Sequence, residues 1–333
     1  ALSIENQNVT HPNSMIAAQY FRYGPPEVVE IKEIPSPVIK PDEVLIKVHA
    51  TTVNRTDCGF RSAEYFVSRF WSGLLRPRLK TLGCEFAGEI TEVGKAVTNY
   101  KVGESVFGYN DKTFGAHAEY LVMPANGAMA TIPAGMTFAE AAPLTEGSHY
   151  ALCDIRAAKI VAGQNVLVYG ATGAIGSAAV QLLKAMDVRV TAVCGTKHVA
   201  TTRALGADEV IDYLQQDYSQ TTQRFDLVFD AVGKTSFGKC KPILKPNGRY
   251  VSTELGKNGQ NIWFALFAPI LGSKKVLFPI PTITPEDVAF LKQLAETGKF
   301  KPLIDRHYPL TAIVEAYRFV ETGQKIGNVV ITV

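Results

Sequence analysis

The residues with the clearest chemistry are three spaced glycines in the turn Gly170-Ala171-Thr172-Gly173-Ala174-Ile175-Gly176. Such a turn lets main chain approach a pyrophosphate, so that backbone N–H groups and the positive end of a helix hold it. That chemistry needs a strand before the turn and a helix after it. Asn165-Val166-Leu167-Val168-Tyr169 is a short apolar run suited to a buried parallel strand, and Ser177 to Met186 has the Ala and Leu spacing of a helix. In this context Gly170 takes the sharp turn, Gly173 admits the pyrophosphate, and Gly176 lets helix and strand pack closely. Ala171, Thr172, Ala174 and Ile175 complete the loop.

Val188 to Cys194 reads as the next strand of the same βαβ unit, and its end is where an acid that reads a ribose is expected. The chain has Gly195-Thr196-Lys197-His198 there. A 2′-phosphate would meet a hydroxyl and a cation instead of a repelling carboxylate, which favours NADPH over NADH. The plainer role for Lys197 is a solvated lysine on a loop.

These elements need a scaffold, and 333 residues is too long for one average core, so two domains are expected. A formal charge of +3 with 20% charged residues is too mild to imply a nucleic-acid or acidic-membrane partner. Cys58, Cys84, Cys153, Cys194 and Cys240 are scattered and lack C-x-x-C spacing, so the sequence indicates no disulfide framework or zinc ribbon and fits a reducing, cytoplasmic setting. Ala1 to Ser14 is polar, lacks a secretory core and reads as a flexible leader. The longest apolar run, Ile262 to Leu271, falls short of the roughly 20 residues that span a bilayer and suits a pocket wall or subunit contact.

From Met15 to about Gly135 the chain reads as short strands broken by Gly and Pro, including Ile16–Tyr20, Val28–Ile31, Glu43–Val48 and Gly88–Val93. From about Thr137 helices and strands alternate. Val166–Tyr169, Val188–Cys194, Glu209–Ile211, Leu227–Ala231, Gly248–Ser252 and Lys275–Ile280 are the strands of a doubly wound α/β sheet. Thr284-Pro285-Glu286-Asp287 opens a helix, and Pro302–Ile304 and Gly327–Val333 are strand-like ends that return to the first domain. The expected division is 15–146 with 282–333 for the β-rich domain and 147–281 for the dinucleotide domain, with substrate in the cleft between them.

Several stretches together resemble the zinc-free quinone oxidoreductase branch of the medium-chain dehydrogenase/reductase superfamily. They are Tyr23–Val28; Val53-Asn54-Arg55-Thr56-Asp57 with Arg61 and Tyr65; Gly83–Gly88; Val102–Val106; the glycine loop; Leu205–Tyr213; and Phe225–Gly233. The resemblance spans Met15 to Val333 and implies a GroES-like catalytic domain beside a Rossmann domain. It also implies NADPH as cofactor, a homodimer, and reduction of quinones or α,β-unsaturated carbonyls. Lys274 to Ile280 would be an apolar edge strand, suited to pairing near Val276 with a two-fold mate.

The zinc-dependent members of the superfamily place a Cys ligand where this chain has Asn54 and a His ligand where it has Cys84, and no Cys or His stands near Pro143-Leu144-Thr145. No metal is therefore expected. Cys84 suits a small buried thiol, and Glu85 an acid bonded to loop backbone. Without a metal, the reacting oxygen would be held by hydrogen-bond donors.

By resemblance, Asn54 orients the nicotinamide or the substrate oxygen, and Tyr65 donates a hydrogen bond or proton to the developing enolate. The plainer roles are helix capping for Asn54 and Asp57, and core packing for Tyr65. Tyr213 takes the family position at the 2′-phosphate end. Asp230, Ala231 and Val232 end a strand beside the ribose and nicotinamide, and Ser252 and Thr253 end the next; ligands of such sheets sit at these carboxyl ends. Asp230 also suits a cap distant from the ribose. The function expected is an NADPH-dependent, zinc-independent reductase of quinones or enones, the alternatives being an enoyl-thioester reductase or a non-catalytic NADPH-binding protein.

Overall fold

The computed structural model describes residues 12–64, 69–255, 259–267 and 272–333. Tyr65, most of the leader and part of the apolar run 262–271 lie outside the described residues. The strands are β1 (Ser14–Tyr20), β2 (Val29–Pro35), β3 (Glu43–Val53), β4 (Glu85–Val93), β5 (Ser105–Tyr109), β6 (Tyr120–Pro124), β7 (Met129–Thr131), β8 (Asn165–Tyr169), β9 (Arg189–Cys194), β10 (Glu209–Asp212), β11 (Phe225–Asp230), β12 (Leu244–Ser252), β13 (Lys275–Leu277), β14 (Ile304–Pro309) and β15 (Asn328–Thr332).

Among the described residues, β8 to β13 form a six-stranded sheet in the order β10-β9-β8-β11-β12-β13, all neighbours parallel. Val166, Leu167 and Val168 are completely buried, as a strand covered on both faces requires. The order reverses between β8 and β11, so the turns that follow these two strands diverge and open a crevice at their carboxyl ends. The glycine turn is one wall of that crevice.

The remaining strands form a two-stranded pair, β1-β2, and a seven-stranded sheet ordered β14-β15-β3-β4-β5-β7 with β6 against β3. The carboxyl-terminal strands do return to the first part of the chain, where β15 runs antiparallel to β3 along Ala50–Val53. That pairing explains why β3 runs five residues beyond the expected Glu43–Val48: its second half is completed by a partner almost the whole chain away. Conversely β13 stops at Leu277, because Pro279 and Pro281 supply no N–H to a ladder. β1 begins at Ser14, which pairs with Pro35.

A single buried cluster joins the two sheets, running from Ala50, Ala87 and Phe107 through Leu144 and Ile155 to Val166, Phe229 and Val330. The helix Glu146–Ala157 crosses this junction and packs along the helix Ala174–Ala185 that follows the glycine turn. The two helices start in close contact. A methyl group on Gly147 would lie 2.5 Å from the Ala174 carbonyl oxygen. The tail fastens the same corner, with Gly327 N–H donating to Thr172 O at 2.6 Å.

Candidate active site

At the reversal of strand order lies a cleft of about 550 Å³. One wall is Asn54, Thr56 and Phe60; the other is Gly173, Ala174, Ile175, Ala231, Val232 and Thr253; Glu146 and Tyr150 close the bottom.

The glycines serve separate steric needs. Gly170 has φ +76°, and a Cβ there would stand 2.7 Å from the Val232 methyls. A Cβ on Gly176 would collide with the Gly170 carbonyl oxygen. Gly173 differs, since the nearest protein atom to its Cβ position is 3.8 Å away. It is the cap residue of a helix with no side-chain cap, so open space faces backbone donors at a positive helix end. This turn fits the pyrophosphate of a dinucleotide.

Ala171 and Gly176 are buried behind the turn, and Thr172 is tied to the tail. At the far corner, Gly195 lies against Tyr213, whose hydroxyl oxygen would be 3.3 Å from a Cβ at position 195. Lys197 is exposed and makes no ion pair among the described residues. An acid does reach this corner, from the neighbouring strand. Asp212 Oδ2 accepts from Thr196 Oγ1 at 2.5 Å and its Oδ1 from Leu214 N–H at 3.0 Å, so both oxygens have protein donors.

Asp230 is wholly buried, with its carboxylate turned into the protein. It accepts from Val232 N–H (3.2 Å), Gly233 N–H (2.9 Å), Thr235 N–H (3.3 Å) and Tyr250 Oη (3.0 Å), with Ser252 Oγ at 3.5 Å. Asp230 and Ser252 thus shape the loop from below, while Ala231, Val232 and Thr253 face the cleft.

The other end of the cleft is a knot of buried polar groups. Asn54 follows β3 and caps the helix Arg55–Ser62: its Oδ1 accepts from Asp57 N–H at 3.0 Å, and Asp57 accepts in return from Asn54 N–H at 3.1 Å. Asn54 Nδ2 donates to Cys84 Sγ at 3.1 Å, and Cys84 Sγ lies 3.5 Å from Glu146 Oε2. Glu146 Oε1 accepts from Thr56 Oγ1 at 2.6 Å, and Tyr150 Oη is 3.4 Å from the same hydroxyl. Glu85 accepts from Thr52 Oγ1 (2.6 Å), Thr145 Oγ1 (2.9 Å) and Glu146 N–H (2.8 Å).

These residues do not fit a zinc ion. The Asn54 oxygen is committed to a helix cap and its amide hydrogens face the Cys84 sulfur, while Glu85 spends both oxygens on protein donors. Among the described residues no three His, Cys, Asp or Glu side chains converge as a metal site requires.

Burial sets the protonation of the knot. Glu146 is pushed up to about 7 and Glu85 to about 8, each chiefly by burial, against which their hydroxyl and N–H donors pull down. Mutual repulsion adds to the rise of Glu85. Asp57 rises to about 7 by burial, opposed by the N–H groups of Asn54 and Gly83. His117, completely buried, falls to about 4 and so remains neutral. Lys325, at the cleft, is lowered by burial and donates to Gly327 O at 2.5 Å.

Sequence reasoning assigned no role to Thr56, Glu146, Tyr150 or Lys325. Thr56 stands within a quoted motif, and Glu146 is a lone acid after the apolar Ala141-Ala142-Pro143-Leu144, a pattern that flags a buried carboxylate. Lys325 carries no local signal; the pairing of the tail with the glycine turn brings it in.

Comparison with known proteins finds similar chains among dehydrogenases and oxidoreductases. Residues 40–134 match the alcohol dehydrogenase GroES-like domain model, and residues 205–331 match a zinc-binding dehydrogenase model. The chain is 30% identical to the chloroplast envelope quinone oxidoreductase homolog of Arabidopsis thaliana, across 95% of this chain and 98% of the relative. It is 28% identical to the NADPH-dependent alkenal/one oxidoreductase of the same plant, across 96% of this chain and 80% of the relative. The quinone oxidoreductase structure from Coxiella burnetii superposes with a TM-score of 0.85 at 28% identity, covering 96% of this chain and 99% of that one.

The buried acids make stability depend on pH. Their folded values lie above the ordinary 4.5 of Glu and 3.8 of Asp, so their stabilising contribution is complete below those values and is lost progressively as pH rises from there through about 7 to about 8. The thermal midpoint should fall over this range, and Glu85→Gln should fall less steeply. An unchanged slope in Glu85→Gln would contradict the assignment.

Proposed function

The chain belongs to the medium-chain dehydrogenase/reductase superfamily, in its quinone oxidoreductase-like branch, and on that premise we propose that it is an NADPH-dependent, zinc-independent reductase of quinones or α,β-unsaturated carbonyls. The observation that carries the reading is one cleft with two unlike ends. At one, an uncapped helix start faces open space beside Gly173; at the other, hydroxyls and a buried acid converge on Thr56.

In this reading the backbone donors of Gly173, Ala174 and Ile175 hold the pyrophosphate, with Lys325 and Lys234 as flanking cations of the cleft. Gly195, Thr196, Lys197 and Tyr213 hold the adenosine end, where Lys197 makes no ion pair among the described residues and Asp212 is already engaged by two protein donors. Ala231, Val232 and Thr253 line the nicotinamide end. When bound, the reduced dinucleotide supplies the hydride. Asn54, fixed at both ends of its amide, holds the wall from which Thr56 presents its hydroxyl, and Tyr65 keeps its proposed place as a donor near the substrate. The division into 15–146 with 282–333 and 147–281 follows the same proposal, as does a reducing compartment, which the five free cysteines support.

NADPH consumption over quinones, 2-alkenals, cyclic enones and enoyl thioesters, with and without chelator, tests this. Turnover of quinones or enones that survives chelation is expected, with Lys197→Ala weakening NADPH about tenfold, or ~1.4 kcal/mol, and NADH little. Turnover confined to enoyl thioesters, abolished by chelator, or absent despite NADPH binding would contradict it, and equal losses for both cofactors would remove the Lys197 contact. We also propose that β13, the end strand of the parallel sheet, pairs with a second copy. Sedimentation at micromolar concentration should give a dimer; monomer alone would contradict the pairing.

A further inference from the structure

Reduction of a quinone or enone needs a proton as well as a hydride, and the cleft contains a built route for one. We propose that Glu146 is the proton reservoir of the reaction and passes its proton to the substrate oxygen through the Thr56 hydroxyl. This rests on the reductase reading above and adds to it the source and path of the proton.

Three observations carry it. Glu146 and Thr56 both line the cleft, and their oxygens lie 2.6 Å apart, an ordinary separation for O–H···O. Glu146 is only 4% exposed, and makes no ion pair among the described residues although it reaches the cleft. Its surroundings set burial and the Asp57 charge, which discourage its ionisation, against the Thr56, Tyr109 and Cys84 donors, which favour it. Glu85 and Cys84 face it from β4 and the residue before, Asp57 from the helix Arg55–Ser62, Tyr109 from β5, and Tyr150 from its own helix; Lys325 faces it as a cation. Burial prevails and holds the carboxyl near 7, so a proton is both kept and releasable at neutral pH.

The Thr56 hydroxyl is suited to the transfer because it donates and accepts at once. While Glu146 is ionised, Thr56 donates to it. Once Glu146 carries a proton the contact reverses, and the Thr56 hydrogen is free to turn to the cleft. The step then balances. The substrate carbon accepts the hydride, and the π electrons shift to leave a pair on the substrate oxygen. That oxygen takes the Thr56 proton while Thr56 takes the Glu146 proton. Glu146 is left as carboxylate and is reloaded from water, and the product is an enol that returns to its ketone in solvent or, from a quinone, the keto tautomer of a hydroquinone, which loses its new ring C–H proton to water while its remaining carbonyl oxygen gains one.

The plainer role for Glu146 is structural, as an acid in the first turn of its helix tied to Cys84. Glu146→Gln keeps size and polarity and separates the two. We expect kcat to fall on the order of 100-fold with KM for the cofactor unchanged. We expect the neutral-pH limb of kcat to disappear and Glu146→Asp to restore part of it. Thr56→Val should cause a comparable loss, and the double variant no more than either alone. Infrared spectra of the cofactor-free protein, titrated through neutrality, should show a protonated-carboxyl band that Glu146→Gln lacks. A variant that keeps the pH limb and most of kcat, or a wild-type protein without that band below neutrality, overturns the proton route. Absence of turnover in the wild type overturns the reductase reading with it, an outcome distinct from a working wild type matched by Glu146→Gln.

Discussion

The cleft depends on one close approach. The helices Glu146–Ala157 and Ala174–Ala185 begin against each other with no room for a side chain at Gly147. That contact places the acid at position 146, whose hydrogen bonds all run toward the β-rich part, beside the glycine turn of the parallel sheet. The turn and the polar knot are thereby walls of one space. Had any larger residue stood at 147, the helices would separate by at least a methyl radius and the two ends of the cleft would no longer share a ligand.

The electrostatics follow from that placement. Cys84, Glu85, Glu146 and Asp57 are buried together and, among the described residues, make no salt bridge to a Lys or Arg, the neutral His117 lying 4.0 Å from Asp57; burial alone raises a carboxyl strongly. Hydroxyl and N–H donors on Glu85, Glu146 and Asp57 limit the rise, leaving acids that titrate near neutrality instead of well above it. In this chain the Asn54 amide Nδ2 donates to the Cys84 thiol.

What could be read from the sequence was what local chemistry determines. The glycine turn was legible because its strand, spacing and helix are consecutive, and so were the Thr284 cap and the helix it opens. Residues whose role depends on distant pairing were not. Lys325 reaches the cleft only because Gly327 bridges to Gly173, Asp212 reaches Thr196 only because β10 lies beside β9, and β3 is long only because β15 comes back to it. Asp230 shows a subtler limit: its place at the end of β11 was legible, but the choice between a cleft-facing acid and a cap was not, and the N–H groups of residues 232, 233 and 235 draw its carboxylate inward.

The central claim is that a single crevice holds a dinucleotide along the glycine turn with its reactive ring beside Thr56. A crystal structure with NADPH bound is the most direct measurement. The account predicts the pyrophosphate on the backbone N–H groups of Gly173 to Ile175 and the nicotinamide against the Thr56 and Glu146 end. Density for the cofactor elsewhere on the chain, or a metal ion seated against Cys84 in that crevice, would contradict it.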